Sequence, residues 1–401
     1  MDVELLVAAL FGLGAAVQQP TPSLTAAIRD ARPGDTIVVA AGTYREPTIV
    51  VDKPLTIIGR PGAVLDGSRA THIVRVEADD VTVRGLTFTN VSTSHVQDRA
   101  AIRVGEVKRC VIEDNRIERA FFGIYLAGTN GCRITRNTIR AEGTTEDGSG
   151  NGIHLWTARN VQVIDNRISG QRDGIYLEFT HDALVQGNMS AGNLRYGLHF
   201  MYSDGCTYER NVFSDNQAGV AVMYTKHVAM LDNDFQDNWG PAAYGLLLKE
   251  ISDVRLERNR FERNTAALLA DGATRLVAMG NQFRDNGWAV KLMANTQESS
   301  LTGNVFVSNS FDVSTNSRGG DTKLAGNYWD EYRGYDLDGD GTGDVPHRPV
   351  RLFSLIVERH EPSLLLLRSP FVSLLDRAER VLPSLTPETL TDATPLMRLT
   401  R

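Results

Sequence analysis

Positive charge is in short supply in this chain: 42 Lys and Arg stand against 49 Asp and Glu, a formal net charge of −7. That balance removes the electrostatic case for nucleic-acid binding. Long hydrophobic runs are also missing. The apolar stretch Leu5–Val17 is followed at once by Gln18, Gln19 and Pro20, and it is too short to span a bilayer, though it suits the apolar segment of a secretory signal. Asp2 and Glu4 are acidic where such a signal is normally basic, so residues 1–19 read as an atypical signal-like segment and export is the expectation. Cysteine is scarce as well. Cys110, Cys132 and Cys206 are all there is, an odd number that leaves one thiol unpaired in an oxidising compartment.

Glycine, by contrast, is plentiful at 36 residues, which suits many tight turns between short strands rather than a helical bundle. The turns recur at a fixed interval. A pair of asparagines five residues apart starts at Asn188 and returns at Asn211, Asn233, Asn259, Asn281 and Asn304, at steps of 22 to 26 residues. Five of these six pairs carry phenylalanine two places in. Weaker copies begin at Asn115, Asn137, Asn166 and Asn327. A repeat of this length is the signature of a solenoid, in which each coil packs only on its neighbours. The expected fold is all-β: a right-handed parallel β-helix of about ten or more coils. Asparagine is expected at the corners because it tolerates left-handed backbone geometry and hydrogen-bonds locally. Stacked in register, its amides can also bond to one another from coil to coil.

Alternation along the strands then sorts side chains inward and outward. Ile175, Leu177, Leu198, Phe200, Val220 and Val222 face inward. Each cysteine sits five residues before a ladder asparagine, where other coils carry Val161, Val228 and Val254, so all three are expected in the core rather than on a metal. Residues 23–32 read as an amphipathic cap helix. The expected organisation is a signal-like segment at 1–19, the β-helix over 20–330, an acidic Asp/Gly loop over 331–350 and a helical tail over 351–401.

The outward positions are the ones able to meet a ligand. Taken coil by coil, they include His154/Trp156, Tyr176/Glu178, His199/Met201, Ala221/Met223, Lys249 and Asp271. His199 and Met201 share one face of a strand, and Met223 is expected to stack on Met201 one coil later. An imidazole and two thioethers make a soft ligand set, matched to Cu(I) rather than to Mg²⁺ or Ca²⁺. The competing reading is that methionine and aromatics merely fill space beneath a loop or partner. In the acidic loop, Asp336, Asp338, Asp340 and Asp344 hold alternate positions of a calcium loop, with Gly341 at the sixth place. The twelfth place holds His347 instead of a bidentate glutamate, so the expectation is at most a single Ca²⁺ or Mg²⁺ site. The outward carboxylates Glu178 and Asp271 are four coils apart, and no paired acid and base emerges. A non-catalytic protein is therefore expected, and a carbohydrate-binding or carbohydrate-active β-helix is the alternative.

The strings GIYLEFTHD (174–182), LRYGLHFMYSDGC (194–206), AGVAVMYTKHV (218–228) and NYWDEYRGYDLDGDGTGDVPHRPVRLFS (327–354) resemble the NosD family, periplasmic maturation proteins of nitrous oxide reductase. The resemblance extends over nearly all of the chain from about residue 23. It implies a periplasmic accessory protein without catalytic residues of its own. The implied partners are an ABC transporter permease and ATPase, a copper-chaperone lipoprotein and nitrous oxide reductase, with contact to the membrane only through the permease. It also implies transient Cu(I) handling, for which His199, Met201 and Met223 are the candidates. A further option is a metal-free docking scaffold. An apolar stripe of Phe371, Leu374, Leu375, Val381 and Leu382 in the tail would dock on the permease's periplasmic face, or close the solenoid, or do both.

Overall fold

The computed structural model describes residues 23–68, 72–94, 96–316, 321–382 and 390–399; the signal-like segment falls outside them. The architecture is the expected parallel β-helix, of about twelve turns. Thirteen short strands stack into one all-parallel sheet, and twenty-three more form a second that wraps the remaining faces. Ser23 caps the first helix, α1 (Leu24–Asp30), by accepting from the Ala26 amide, and Leu24 and Ile28 seat that helix on the open end of the solenoid core.

The core is a set of stacks along the axis. Phe213, Phe235, Phe261, Phe283, Phe306 and Trp329 lie one above another with ring centroids 4.2–5.6 Å apart. The six residues assigned inward are completely buried. The three cysteines are core residues too, each about 1 % exposed. Cys110 and Cys132 stack in successive coils and are disulfide-bonded, while Cys206 stays free, its thiol pushed up to about 11 by burial.

The asparagines form two buried ladders. In the longer one each Nδ2 and each backbone N–H donates to the Oδ1 of the next coil's asparagine; Asn211, for example, reaches Asn233 at 3.0 Å by both routes. The expectation that these asparagines adopt left-handed geometry is not met. The left-handed residue is the one before each, such as Asp114 (φ 56°), Arg210 (52°) and Asp232 (55°). The asparagine itself bridges coils from inside the corner, where a buried amide must satisfy its own polar groups. Asn327 has no coil beyond it, and there the tail returns. Asp392, fully buried, accepts from the Asn327 N–H (3.1 Å), Asn327 Nδ2 (2.9 Å) and Trp329 Nε1 (3.1 Å), so a carboxylate ends the ladder.

Among the described residues the tail also forms helices α2 (Leu352–Arg359) and α3 (Pro370–Val381), joined through a 3-10 turn over Glu361–Leu366. Phe353 and Val357 of α2 pack on Phe311 of the last coils, and Val372 and Leu375 of α3 complete that small cluster. Lys291 and Ser314 both reach the Glu358 carboxylate at 2.8 Å, pinning α2 to the sheet.

Candidate functional site

The coil period is broken twice near the N-terminal third, where the ladder steps from Leu86 to Asn115 and from Asn137 to Asn166 are 29 residues instead of 22. The extra residues emerge as segments around 92–94, 96–99 and 141–151. Together with the outer sheet face they bound a cleft of about 610 Å³, to which Gln97, Asp98, Asp147, His154, Arg172, Tyr176, Glu178, Arg195, His199 and Met201 contribute.

Its floor is the outward ladder read from the alternation. Tyr125, His154, Tyr176 and His199 pair in register across successive coils, with ring centroids 4.4, 4.7 and 4.8 Å apart. Beside them runs Trp156–Glu178–Met201–Met223–Lys249–Asp271, also in register. Outward does not mean exposed here: His154 and His199 are only 8 % and 6 % accessible. His199 and Met201 both line the cleft, whereas Met223 stacks on Met201 one coil on and lies outside the cleft lining. His154 and His199 flank Tyr176, so the structure brings both histidines into one cavity.

The two imidazoles are held differently. Asn151 Oδ1 accepts from Arg172 (3.2 Å), which turns its Nδ2 toward His154 Nδ1 (3.1 Å). That nitrogen must accept, so the His154 proton sits on Nε2. Burial, followed by the nearby Arg172 charge, drops the His154 pKa to about 3 and keeps the ring neutral. His199 Nδ1 lies 3.6 Å from Asp173 Oδ2 and 3.4 Å from Arg195 Nη2. Asp173 is fully buried, and Arg195 clasps both its oxygens at 2.9 and 2.5 Å. Burial alone would raise this carboxyl, but hydrogen bonds from His199 and Arg195 outweigh it and hold the group below its ordinary range. His154 Nε2 and His199 Nε2 both lack a hydrogen-bond partner among the described residues. Met201 Sδ receives only a long contact, 3.8 Å, from the Tyr176 hydroxyl. Sequence reasoning missed Asp173 and Arg195; the one signal available was the pair of lengthened coils beside them.

At the far end, Asp336, Asp338 and Asp340 carry oxygens within 4.8 Å of one another. Several of these oxygens already accept backbone N–H groups, as Asp336 does from Gly339 (2.7 Å) and Gly341 (2.9 Å), while Asp344 accepts from Leu337. His347 turns inward against Trp329 and Tyr332, and burial lowers its pKa to about 4, so the twelfth position does not face the loop. In the tail, Phe371, Leu374, Val381 and Leu382 are more than half exposed, and Leu365 is 92 % exposed. Leu375 departs from that stripe by packing inward with Val372.

A parallel β-helix whose outer face holds a polar–aromatic cleft, and whose helical tail leaves apolar side chains exposed, belongs to the class of β-solenoid proteins. Residues 139–334 match the family described as Periplasmic copper-binding protein (NosD). A relative from Pseudomonas aeruginosa, named Probable ABC transporter binding protein NosD, is 30 % identical over 98 % of this chain and 95 % of its own. One of the same name from Stutzerimonas stutzeri is 24 % identical over 90 % of this chain and 86 % of its own. The chain belongs to the NosD family. That family is named for binding and not for a reaction, and is described as periplasmic; among the described residues no helix is long and apolar enough to cross a membrane. A Yersinia enterocolitica family 28 exopolygalacturonase (TM-score 0.61, 11 % identity, 75 % of this chain and 74 % of that one) and the Streptococcus pneumoniae adhesin PfbA (TM-score 0.53, 12 % identity, 75 % and 91 %) share the fold alone.

Proposed function

We propose that this chain is a periplasmic accessory protein for the maturation of nitrous oxide reductase, accepting or presenting Cu(I) while bound to the permease of an ABC transporter. Family membership supports the setting, and the names of the relatives support the transporter. The observation that carries the copper reading is His199 Nε2, nine-tenths buried and unpartnered in the same cleft as Met201. In the tautomer that turns Nδ1–H toward Asp173, 3.6 Å away, instead of accepting from Arg195, the Nε2 lone pair is available to a metal, the carboxylate–histidine–metal arrangement that orients a ligand and raises its basicity. Met201, with Met223 one coil on, adds thioether sulfur, which favours Cu(I) over hard cations. Copper here is cargo handed on to the reductase. The copper-chaperone lipoprotein is the proposed donor and the transporter's ATPase the proposed driver.

The tail supplies the anchor: α3 keeps Val372 and Leu375 for the solenoid and turns Phe371, Leu374, Val381 and Leu382 outward toward the permease. Asp336, Asp338, Asp340 and Asp344 are the proposed site of one Ca²⁺ or Mg²⁺.

The test is a Cu(I) competition titration of the full chain, wild type against Met201→Ala. One-to-one binding weakened at least tenfold, about 1.4 kcal/mol, is the expected result. Equal affinity in both proteins would remove Met201 from the site, and no binding in either would leave a metal-free docking scaffold.

A further inference from the structure

The second asparagine ladder, which runs from Asn193 to Asn309, has an open end. Each Oδ1 in it accepts the backbone N–H of the coil before, and Gln171 is the first residue held this way, its N–H reaching Asn193 Oδ1 at 3.2 Å. Gln171 stands where a further rung belongs, yet its own side chain does not continue the ladder. It is fully buried, and both Oε1 and Nε2 lack a hydrogen-bond partner among the described residues. No other buried side chain among those residues leaves two polar atoms unpaired. Turning the amide over therefore changes nothing. An unpaired buried amide costs stability, so its presence calls for a reason.

The open end coincides with an inserted segment. Gly143 N–H donates to the Gly170 carbonyl at 3.3 Å, and Arg172 N–H donates to the Gly150 carbonyl at 2.8 Å, so the two coils pair on either side of Gln171. Between those contacts residues 144–149 loop away, and no rung forms above Gln171. The gap is a pocket of about 530 Å³, a size ordinary for ligand sites, with Ser92, Thr93, Arg119, Glu142, Ser149 and Gln171 in its wall. Arg119 already donates to Asn90 Oδ1 (3.1 Å) and Thr89 Oγ1 (2.9 Å), and the carboxylate of Glu142 balances its charge on the pocket wall. A balanced wall does not call for an ionic ligand.

The amide itself selects the chemistry. Oε1 needs a donor and Nε2 needs an acceptor, side by side in one plane. A carboxylate would answer Nε2 but set its charge against Oε1, and an ammonium would answer Oε1 alone. A second carboxamide meets both atoms at once, in a planar ring of two hydrogen bonds. The small Ala120, Ala141 and Gly143 elsewhere in the wall leave room for main chain.

We propose that this pocket binds a short peptide segment of a partner protein, with an Asn or Gln side chain of that segment paired to the Gln171 amide. The site rests on Gln171 and not on copper. Phe121 and Ser149 line both this pocket and the cleft of His199 and Met201, so the bound segment lies beside that cleft. The rival occupant is ordered water, two molecules of which would satisfy the amide equally well.

The test is calorimetric titration of the full chain with four tripeptides, each acetylated and amidated: Ala-Gln-Ala, Ala-Asn-Ala, Ala-Glu-Ala and Ala-Leu-Ala. The glutamine or the asparagine peptide is expected to bind with a Kd below about 1 mM, at least tenfold tighter than the glutamate and leucine peptides. Gln171→Leu should weaken that binding at least tenfold. It should also melt at or above the wild-type temperature, because apolar atoms replace two unpaired polar ones. Gln171→Asn supplies the ladder's own residue, so it should bond to Asn193, melt higher than wild type and likewise lose the peptide. Both variants should keep wild-type Cu(I) titration curves. The proposal is overturned if neither carboxamide peptide binds, if the leucine peptide binds as tightly, or if binding survives both substitutions. It is equally overturned if both variants melt below wild type, since ordered water would then already satisfy the amide.

Discussion

Replacing Asn259 with alanine should cost about 4 kcal/mol of stability. Asn259 is fully buried, and its side chain takes part in four hydrogen bonds. Nδ2 donates to the Met230 carbonyl (2.9 Å) and to Asn281 Oδ1 (3.0 Å), and Oδ1 accepts from the Asn233 backbone N–H (2.9 Å) and from Asn233 Nδ2 (3.0 Å). Each bond contributes roughly 1 kcal/mol net, and the orphaned Asn233 N–H pushes the total toward the upper end of about 3–5 kcal/mol. Asn259→Asp keeps both acceptances but sets a carboxylate oxygen against Met230 O and Asn281 Oδ1, so it should cost at least as much as alanine despite the matching shape. The control is Gln282→Ala, which removes one exposed contact, accepted from Arg284 Nε at 3.3 Å, and should cost less than about 0.5 kcal/mol. Urea unfolding followed by far-UV circular dichroism measures all three. Because solenoid stability is a sum over coils and their interfaces, the loss should appear as a lower midpoint or a separate early transition. A cost below about 1.5 kcal/mol for Asn259→Ala would refute the ladder as a source of stability, and leave the stacked phenylalanines to account for it.

Other consequences can be checked alongside. Asp312 is buried with one partner, Asn309 Nδ2 at 3.2 Å, and burial raises its pKa to about 6. The folded state therefore holds a proton that the unfolded state releases near pH 4, so the stability this group contributes is full below that pH and is lost as pH rises to 6. The loss is on the order of 3 kcal/mol and opposes the gain from the depressed His154 and His347, so Asp312→Asn should make thermal stability rise more steeply between pH 4 and 6 than in wild type. Calcium at ten times its Kd should raise stability by about 1.4 kcal/mol through the acidic loop; Asp338→Asn should remove the effect, and a wild-type melt insensitive to calcium would discard that site. Phe371→Asp/Leu374→Asp changes two exposed side chains, so the melting temperature should hold while co-purification with the permease is lost. Retained co-purification would move the anchor elsewhere. Asp173→Asn frees Arg195 and loosens His199, and Cu(I) affinity should drop at least tenfold; unchanged affinity would exclude His199 as a ligand.

Much of this molecule can be read from a single line of residues, for a physical reason. Every coil meets the same neighbours one turn away, so the contacts that hold Asn211 to Asn233 also hold Asn259 to Asn281, and the interaction is written as a period. That is why the fold, the inward set Ile175–Leu177–Leu198–Phe200, the buried slot of the cysteines and the register of Met201 on Met223 were all legible. The cap helix was legible from its own apolar spacing. The role of the corner asparagines was misread because propensity at a corner favours left-handed geometry, whereas burial on the inside of the turn rewards a hydrogen-bonding amide and leaves the strain to the residue before it.

What the period does not contain, only the tertiary structure decided. The inserted segments around 92–94, 96–99 and 141–151 obey no repeat, yet they wall the cleft that His154 and His199 line, and both histidines are buried at positions that alternation alone marks as outward. Asp173 is an unremarked carboxylate until Arg195, one coil on, clasps it beneath His199. Asp392 closes a ladder whose last rung lies 65 residues earlier, a contact that no local pattern announces. Short-range, repeated contacts leave their mark on sequence spacing, whereas single contacts between distant segments depend on how the chain returns on itself, and a site built from them exists only once it has done so.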